Sequence, residues 1–295
     1  VEVRTLFSGV SRGTERLVLA GRVPPSEAAA MRAPHQRGEF PFPVKYGYGS
    51  VGVVEAGALP AGTRVFCLYP HQDRYVVPAA AVVALPDAVP AERAVLAANL
   101  ETALNAVWDG RVGPGDRVAV VGAGVVGALV AWLCGRIPGT EVTLVDVLPE
   151  RRGLAAALGV GFAVAGHAEG ERDVVFHASA TGAGLATAID LAGAEALVLE
   201  LSWYGEGTVP APLGGAFHAR RLTLRGSQVG GLPVERRPRW TYRRRLATAL
   251  ALLADPALDA LISSEGPFAS LPEDLPRVTS GPGGPLCHRV RYPGS

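Results

Sequence analysis

VAVVGAGVVGALVAWL, residues 118–133, decides the fold. It begins as a short β-branched run and ends with the apolar density of a buried helix. Between the two stand Gly122, Gly124 and Gly127, spaced G-x-G-x-x-G. No charged residue appears from Val118 to Cys134, so the length approaches that of a membrane span. The glycines instead divide it into strand, turn and helix, and the strand pattern EVTLVDV follows at once. A transmembrane reading is therefore set aside. A strand that ends in this spacing and opens a helix suits a dinucleotide. Gly122 permits the tight turn, Gly124 lets backbone approach a pyrophosphate, and Gly127 lets helix pack closely on strand. The N–H groups of the helix's first turn, at Val125 and Val126, then face the phosphates. Asp146 ends the next strand, placed to accept hydrogen bonds from ribose hydroxyls and to repel the extra phosphate of NADP. NAD is the expected cofactor and NADP the lesser one, although Arg151 and Arg152 pull mildly toward NADP.

Outward from this stretch the chain changes character twice. Residues 1–92 read as all-β, with short Val-rich runs such as VEVRTL, SVGVVEAG and TRVFCLY punctuated by Gly, Pro and Asp. The segment 24–43, rich in Pro, Ala and Arg, reads as a loop with one short helix. From 93 to 257 helices alternate with strands: VPAERAVLAANLETALNAVWDG carries helical spacing closed by Gly110, and later strands are DVVFHAS, ALVLELS and LTLRGS. Such alternation predicts a doubly wound parallel sheet. Residues 258–295 return to short β and turn character, so the second domain is expected as an insertion into the first.

Composition narrows the partners. Apolar residues make up 48% and charged ones 19%, with a net charge of +1, which gives no pull toward nucleic acid or an anionic membrane. The run ERRPRWTYRRRL, 235–246, holds six arginines but precedes a helix, and a basic outer face explains it. Cys67, Cys134 and Cys287 lie far apart and form no C-x-x-C, which fits a reducing, cytoplasmic setting. The chain opens directly in a strand pattern with no basic-then-apolar leader, which points to residues upstream.

With these pieces in order the chain resembles the medium-chain dehydrogenase/reductase superfamily, the zinc-type alcohol dehydrogenase-like proteins. FSGVSRGTE (7–15) resembles the family's G-x-C-x-x-D segment and KYGYGSVGVVEAG (45–57) its G-H-E-x-x-G-x-V segment. AANLETALNAV (97–107) occupies the helix that crosses between domains, and LTLRGSQVGG (222–231) resembles the last strand of the nucleotide domain. The SRGTE and YG-for-HE pattern is similar to a zinc-lacking subgroup typified by bacteriochlorophyllide a dehydrogenase-like proteins. The resemblance implies a GroES-like β-barrel domain with an inserted Rossmann domain. It also implies hydride transfer with a small-molecule substrate, and a homodimer or homotetramer.

The departures are chemical. Ser11 stands where zinc-dependent relatives place a cysteine, and Tyr48 and Gly49 stand where they place histidine and glutamate. Only Glu101 falls at a position where some relatives offer a carboxylate. Catalytic zinc takes three His, Cys or carboxylate ligands, so no zinc is expected. Its Lewis-acid role must pass to a hydrogen-bond donor, and Tyr48 is the first candidate. Lys45, the only lysine, or Arg12 is expected to lower its pKa. Glu101 and His71 are further relay candidates. By resemblance, Arg12 and, from the tail, His288 or Arg289 reach the pyrophosphate. Asn105, Ser202, Ser227 and Val229 line the nicotinamide end, and Ser179 is a further cofactor-binding candidate. Trp203 and Tyr204, with Phe40, Phe42 and Tyr69, would suit a bulky planar substrate. A zinc-free enoyl or quinone reductase, or a catalytically silent NAD-binding protein, are the alternatives.

Overall fold

A computed structural model describes residues 1–281 and 283–295. The chain divides into two compact units, one formed by Val1–Ala98 with Arg243–Ser295 and the other by Asn99–Tyr242. The second is thus inserted into the first.

The first unit begins with strand β1 (Glu2–Val10) and helix α1 (Arg12–Leu19). The hairpin β2 (Arg37–Gly38) and β3 (Val44–Lys45) follows, then β4 (Ser50–Ala56), β5 (Arg64–Cys67), β6 (Arg74–Val76), β7 (Val82–Ala84) and the short helix α2 (Ala91–Ala94). Alternation places Val3, Val54, Val65, Tyr69, Tyr75 and Val77 on one buried face.

The second unit starts in helix α3 (Ala97–Gly110) and continues as β8 (Arg117–Val121), α4 (Val125–Cys134), β9 (Glu141–Asp146), α5 (Arg152–Leu158) and β10 (Gly161–Val164). After it come β11 (Arg172–His177), α6 (Gly182–Leu191), β12 (Ala192–Glu200) and β13 (Thr223–Gly226). The six strands run parallel in the order β10-β9-β8-β11-β12-β13. The chain therefore builds outward from β8 on one side and then crosses to β11 on the other. That reversal opens a crevice at the carboxyl ends of β8 and β11, where open α/β sheets bind their ligands.

Helix α7 (Tyr242–Leu252) leads back to the first unit, which closes with β14 (Ile262–Pro267), α8 (Leu271–Thr279) and β15 (Cys287–Arg291). β15 pairs antiparallel with β1, giving a sheet ordered β14-β15-β1-β4-β5-β7 with β6 beside β1. The join is reinforced by Arg93 of α2, whose guanidinium forms a two-pronged bond to Asp259 at 2.7 Å on each arm. The fold is the expected one, a β domain carrying an inserted doubly wound domain. Two local readings are corrected. LPEDLPRVT is a helix, not turns: Pro272 occupies the first turn, where an N–H has no intrahelical acceptor, and Pro276 costs one bond without ending the run. Residues 93–98 and 243–257, expected in the inserted domain, belong to the first unit.

Candidate functional site

The glycine turn has the geometry its spacing implies. Gly122 has φ +108, and a Cβ there would lie 2.6 Å from the Ser179 backbone nitrogen. At Gly127 a Cβ would lie 2.0 Å from the Gly122 carbonyl oxygen, so only glycine lets α4 close on β8. Gly124 differs from both. Its φ of −77 suits any residue, and a Cβ there would meet nothing within 4 Å. The open space lies at the N-cap of α4, on the side where a phosphate would sit. Asp146, at the end of β9, accepts from the Ala123 N–H at 2.6 Å through Oδ2 and from the Leu148 N–H at 2.9 Å through Oδ1. Each oxygen keeps a lone pair for a further donor. Asp146 is thus fixed beside the turn. Arg152 stacks over the Phe162 ring at 5.1 Å, and Arg151 closes the short 3-10 turn before α5.

Beyond the turn, the carboxyl ends of β11 and β12 carry a polar network. His177, fully buried, places Nδ1 2.7 Å from Glu200 Oε2 and Nε2 2.7 Å from the Ser179 hydroxyl. Glu200 also accepts from Tyr204 O–H at 2.9 Å and from the Ser202 N–H at 2.7 Å. Burial pushes the Glu200 carboxyl up, but the bonds from His177 and Ser202 outweigh it and hold it below its ordinary range. Ser202 Oγ accepts from the Ala180 N–H at 3.1 Å. Nearby, Asn105 Nδ2 at 3.1 Å and Ser227 O–H at 2.7 Å both donate to Asp109 of α3. Ser179, Ser202, Asn105 and Ser227 were singled out from the sequence; His177, Glu200 and Asp109 were not. His177 and Glu200 lie in parallel register on neighbouring strands, a pairing that no linear spacing reveals. Val229 follows β13, and Glu101 is buried in α3.

In the first unit Ser11 caps α1, and the phenol of Tyr48 donates to its hydroxyl. Glu15, 3% exposed, reaches back to the Ser11 N–H at 2.7 Å and holds His71 Nε2 at 3.0 Å. His71 Nδ1 meets Ser8 Oγ at 2.7 Å, and Ser8 in turn meets Tyr292 O–H at 3.0 Å. The sequence reading brought together Ser11, Tyr48 and His71 but missed Glu15, whose position in the first turn of a helix after SRG was its one signal.

Several expected contacts are elsewhere. Arg12 donates through Nε to the Val278 carbonyl and through Nη2 to those of Ser280 and Gly281, at the C-terminal end of α8 where a cation is favoured. Lys45 bonds Gln72. Neither lowers the pKa of Tyr48, which burial instead pushes up to about 12 against the hydrogen bonds to Ser11 and Thr14. His288 is 2% exposed on β15, with Nδ1 bonded to Ser264 at 2.9 Å. Arg289 pairs with Glu265 at 2.5 Å. Tyr69 is buried and stacked on Tyr75 at 3.9 Å, and the Tyr204 hydroxyl is held by Glu200. Phe42 is exposed, while Phe40 packs on Tyr46. Within the arginine run, Arg236 covers the Trp108 ring at 4.9 Å and Arg245 is buried.

Solved structures with the same architecture include L-idonate 5-dehydrogenase from Escherichia coli, at 16% identity and a TM-score of 0.77, covering 99% of this chain and 90% of that one. The chain has the fold of a dehydrogenase. A short chain alcohol dehydrogenase from E. coli CFT073, complexed with NADH, matches at 16% identity and a TM-score of 0.74, over 99% of this chain and 91% of that one. The yhdH oxidoreductase from Salmonella enterica, in complex with NADP, matches at 18% and 0.70, over 99% and 90%. No family model matches the sequence.

Proposed function

We propose that this protein is a nicotinamide-dinucleotide-dependent oxidoreductase of the medium-chain dehydrogenase type, interconverting an alcohol and a ketone or aldehyde without zinc. The observation that carries the reading is the crevice at β8 and β11. There a turn that tolerates no side chain at Gly122 and Gly127 leaves open space at Gly124, beside a carboxylate at Asp146. These residues fit a dinucleotide: the first turn of α4 would hold the pyrophosphate and Asp146 the adenine ribose. The Asp146 carboxylate favours NAD over NADP, since a ribose phosphate beside it is repelled. Solved neighbours with NADH and with NADP support the cofactor class. Bound nicotinamide supplies the hydride chemistry.

Zinc is the metal that the resemblance implies, and the donor set does not fit it. Ser11 and Tyr48 bond each other, and Gly49 has no side chain to offer. No cluster of three or more His, Cys, Asp or Glu that could hold a metal occurs among the described residues. What this site offers is a phenol. With its pKa near 12, Tyr48 keeps its proton at working pH, and the proton that Ser11 accepts in this structure would turn to an oxygen on which negative charge develops. It acts as a donor, not as a phenolate base. These features support reading the protein as a zinc-independent dehydrogenase acting on a small organic substrate. No helix among the described residues is long and apolar enough to cross a membrane.

The test is a screen of alcohols and ketones with NAD(H) and NADP(H), wild type against Tyr48→Phe. Turnover with NAD(H) that falls about a hundredfold in Tyr48→Phe is the expected result. Equal turnover in the two proteins would remove Tyr48 from the chemistry.

A further inference from the structure

Ser179 stands two residues past β11, at the point where the strand order reverses, with its backbone nitrogen 2.6 Å from where a Gly122 Cβ would lie. It is half-buried, while the histidine behind it is fully buried. We propose that the Ser179 hydroxyl donates a hydrogen bond to the phosphates of the bound dinucleotide, and that His177 and Glu200 act through it by taking up a proton as the dinucleotide binds. The inference rests on the dinucleotide reading and assigns three residues to that site.

The chemistry follows from the tautomers. The Glu200 carboxylate beside Nδ1 requires a proton on that nitrogen. A neutral ring therefore has a bare Nε2, which accepts the Ser179 O–H and leaves the serine only lone pairs to offer another partner. Phosphate oxygens are acceptors only, so that arrangement opposes them. Once the ring takes a proton from solvent, Nε2–H donates to Ser179 Oγ and the serine proton is free to point at a phosphate. Thr181 Oγ1, 3.0 Å from Ser179 Oγ, is held by the Gly184 N–H at 3.0 Å and can donate to the serine in either state. The groups facing His177 are few. β12 presents Glu200, and the following loop presents Tyr204, whose hydroxyl is 3.5 Å from Nδ1. β8 presents Val121 in register, and α6 presents Gly184. One carboxylate and no cation face the ring among these contacts.

His177 and Glu200 are positioning residues, so the test reads protons and not turnover alone. Wild-type protein is titrated with NAD in a calorimeter from about pH 5 to 8, the range in which histidine titrates, using buffers of different ionisation enthalpy. The imidazole signals of His177 are followed by NMR through the same titration. The expected result is net proton uptake, affinity that weakens by up to about tenfold per pH unit above the free histidine's titration, and His177 signals that move toward imidazolium on binding. Ser179→Ala is expected to weaken binding about tenfold and to flatten the pH dependence. Binding that is independent of pH, with His177 signals unmoved, would overturn the inference and leave the dinucleotide reading standing. No NAD binding at any pH would overturn both. The wild-type measurements decide the matter even if His177→Gln fails to fold.

Discussion

Each unit buries a histidine between a glutamate and a serine, and the two arrangements differ in where the serine leads. In the first unit His71 turns Nε2 to Glu15 and Nδ1 to Ser8, and Ser8 ends on Tyr292. Ser8 is 1% exposed and Tyr292 2%, so the chain of bonds closes inside the protein. Glu15 also ties down the start of α1 through the Ser11 N–H. In the second unit the ring is reversed, Nδ1 to Glu200 and Nε2 to Ser179, and Ser179 is half-buried, its backbone nitrogen bordering the Gly122 turn. The same three residue types make a closed strut in one place and an open-ended relay in the other. Burial of the terminal hydroxyl, not the identity of the triad, separates structure from function.

That contrast can be broken experimentally. The largest effect is expected at Glu15: Glu15→Gln leaves buried partners imperfectly paired and should cost about 3 kcal/mol of stability. Chemical denaturation measures it, and a loss under about 0.5 kcal/mol would mean that the first network is not a strut. Next come the two serines. Ser8→Ala is expected to lower stability by about 1–2 kcal/mol with dinucleotide affinity intact, because its loss removes one hydrogen bond from buried His71 Nδ1 and one from Tyr292. Ser179→Ala should do the reverse, weakening affinity with little change in melting temperature. Equal behaviour of the two variants would erase the distinction. The smallest effect concerns acid. Because the Glu200 carboxyl is held below its ordinary value of 4.5, its stabilisation is present above that pH and is lost as pH falls through the lower folded value. The melting-temperature gap between wild type and Glu200→Gln should therefore close in acid, and a gap that widens there would contradict the assignment.

Much of this was legible in the sequence, because some determinants are local. The glycine spacing, the strand before it and Asp146 after it are read within thirty residues (118 to 146), and steric exclusion at Gly122 and Gly127 makes the motif nearly obligatory. Tyr48 could be picked out as well, though only through the resemblance and not from local spacing. What stayed hidden depends on register and burial. His177 and Glu200 meet because β11 and β12 pair in one parallel register, 23 residues apart in the chain. Glu15 and His71 meet across 56 residues, through a helix start and a loop. The resemblance offered Arg12 as a pyrophosphate ligand, whereas the carbonyls at the end of α8 that it meets are brought to it only by the fold.

The central claim, a dinucleotide in the Gly122–Gly127 crevice, is tested most directly at Gly124. Backbone and space there accept a side chain, and an aspartate at an N-cap favours a helix. Gly124→Asp should therefore melt at or above the wild-type temperature while losing NADH affinity by about a hundredfold or more, measured by fluorescence titration of the two proteins side by side. A Gly124→Asp protein that binds NADH as tightly as wild type would contradict the account.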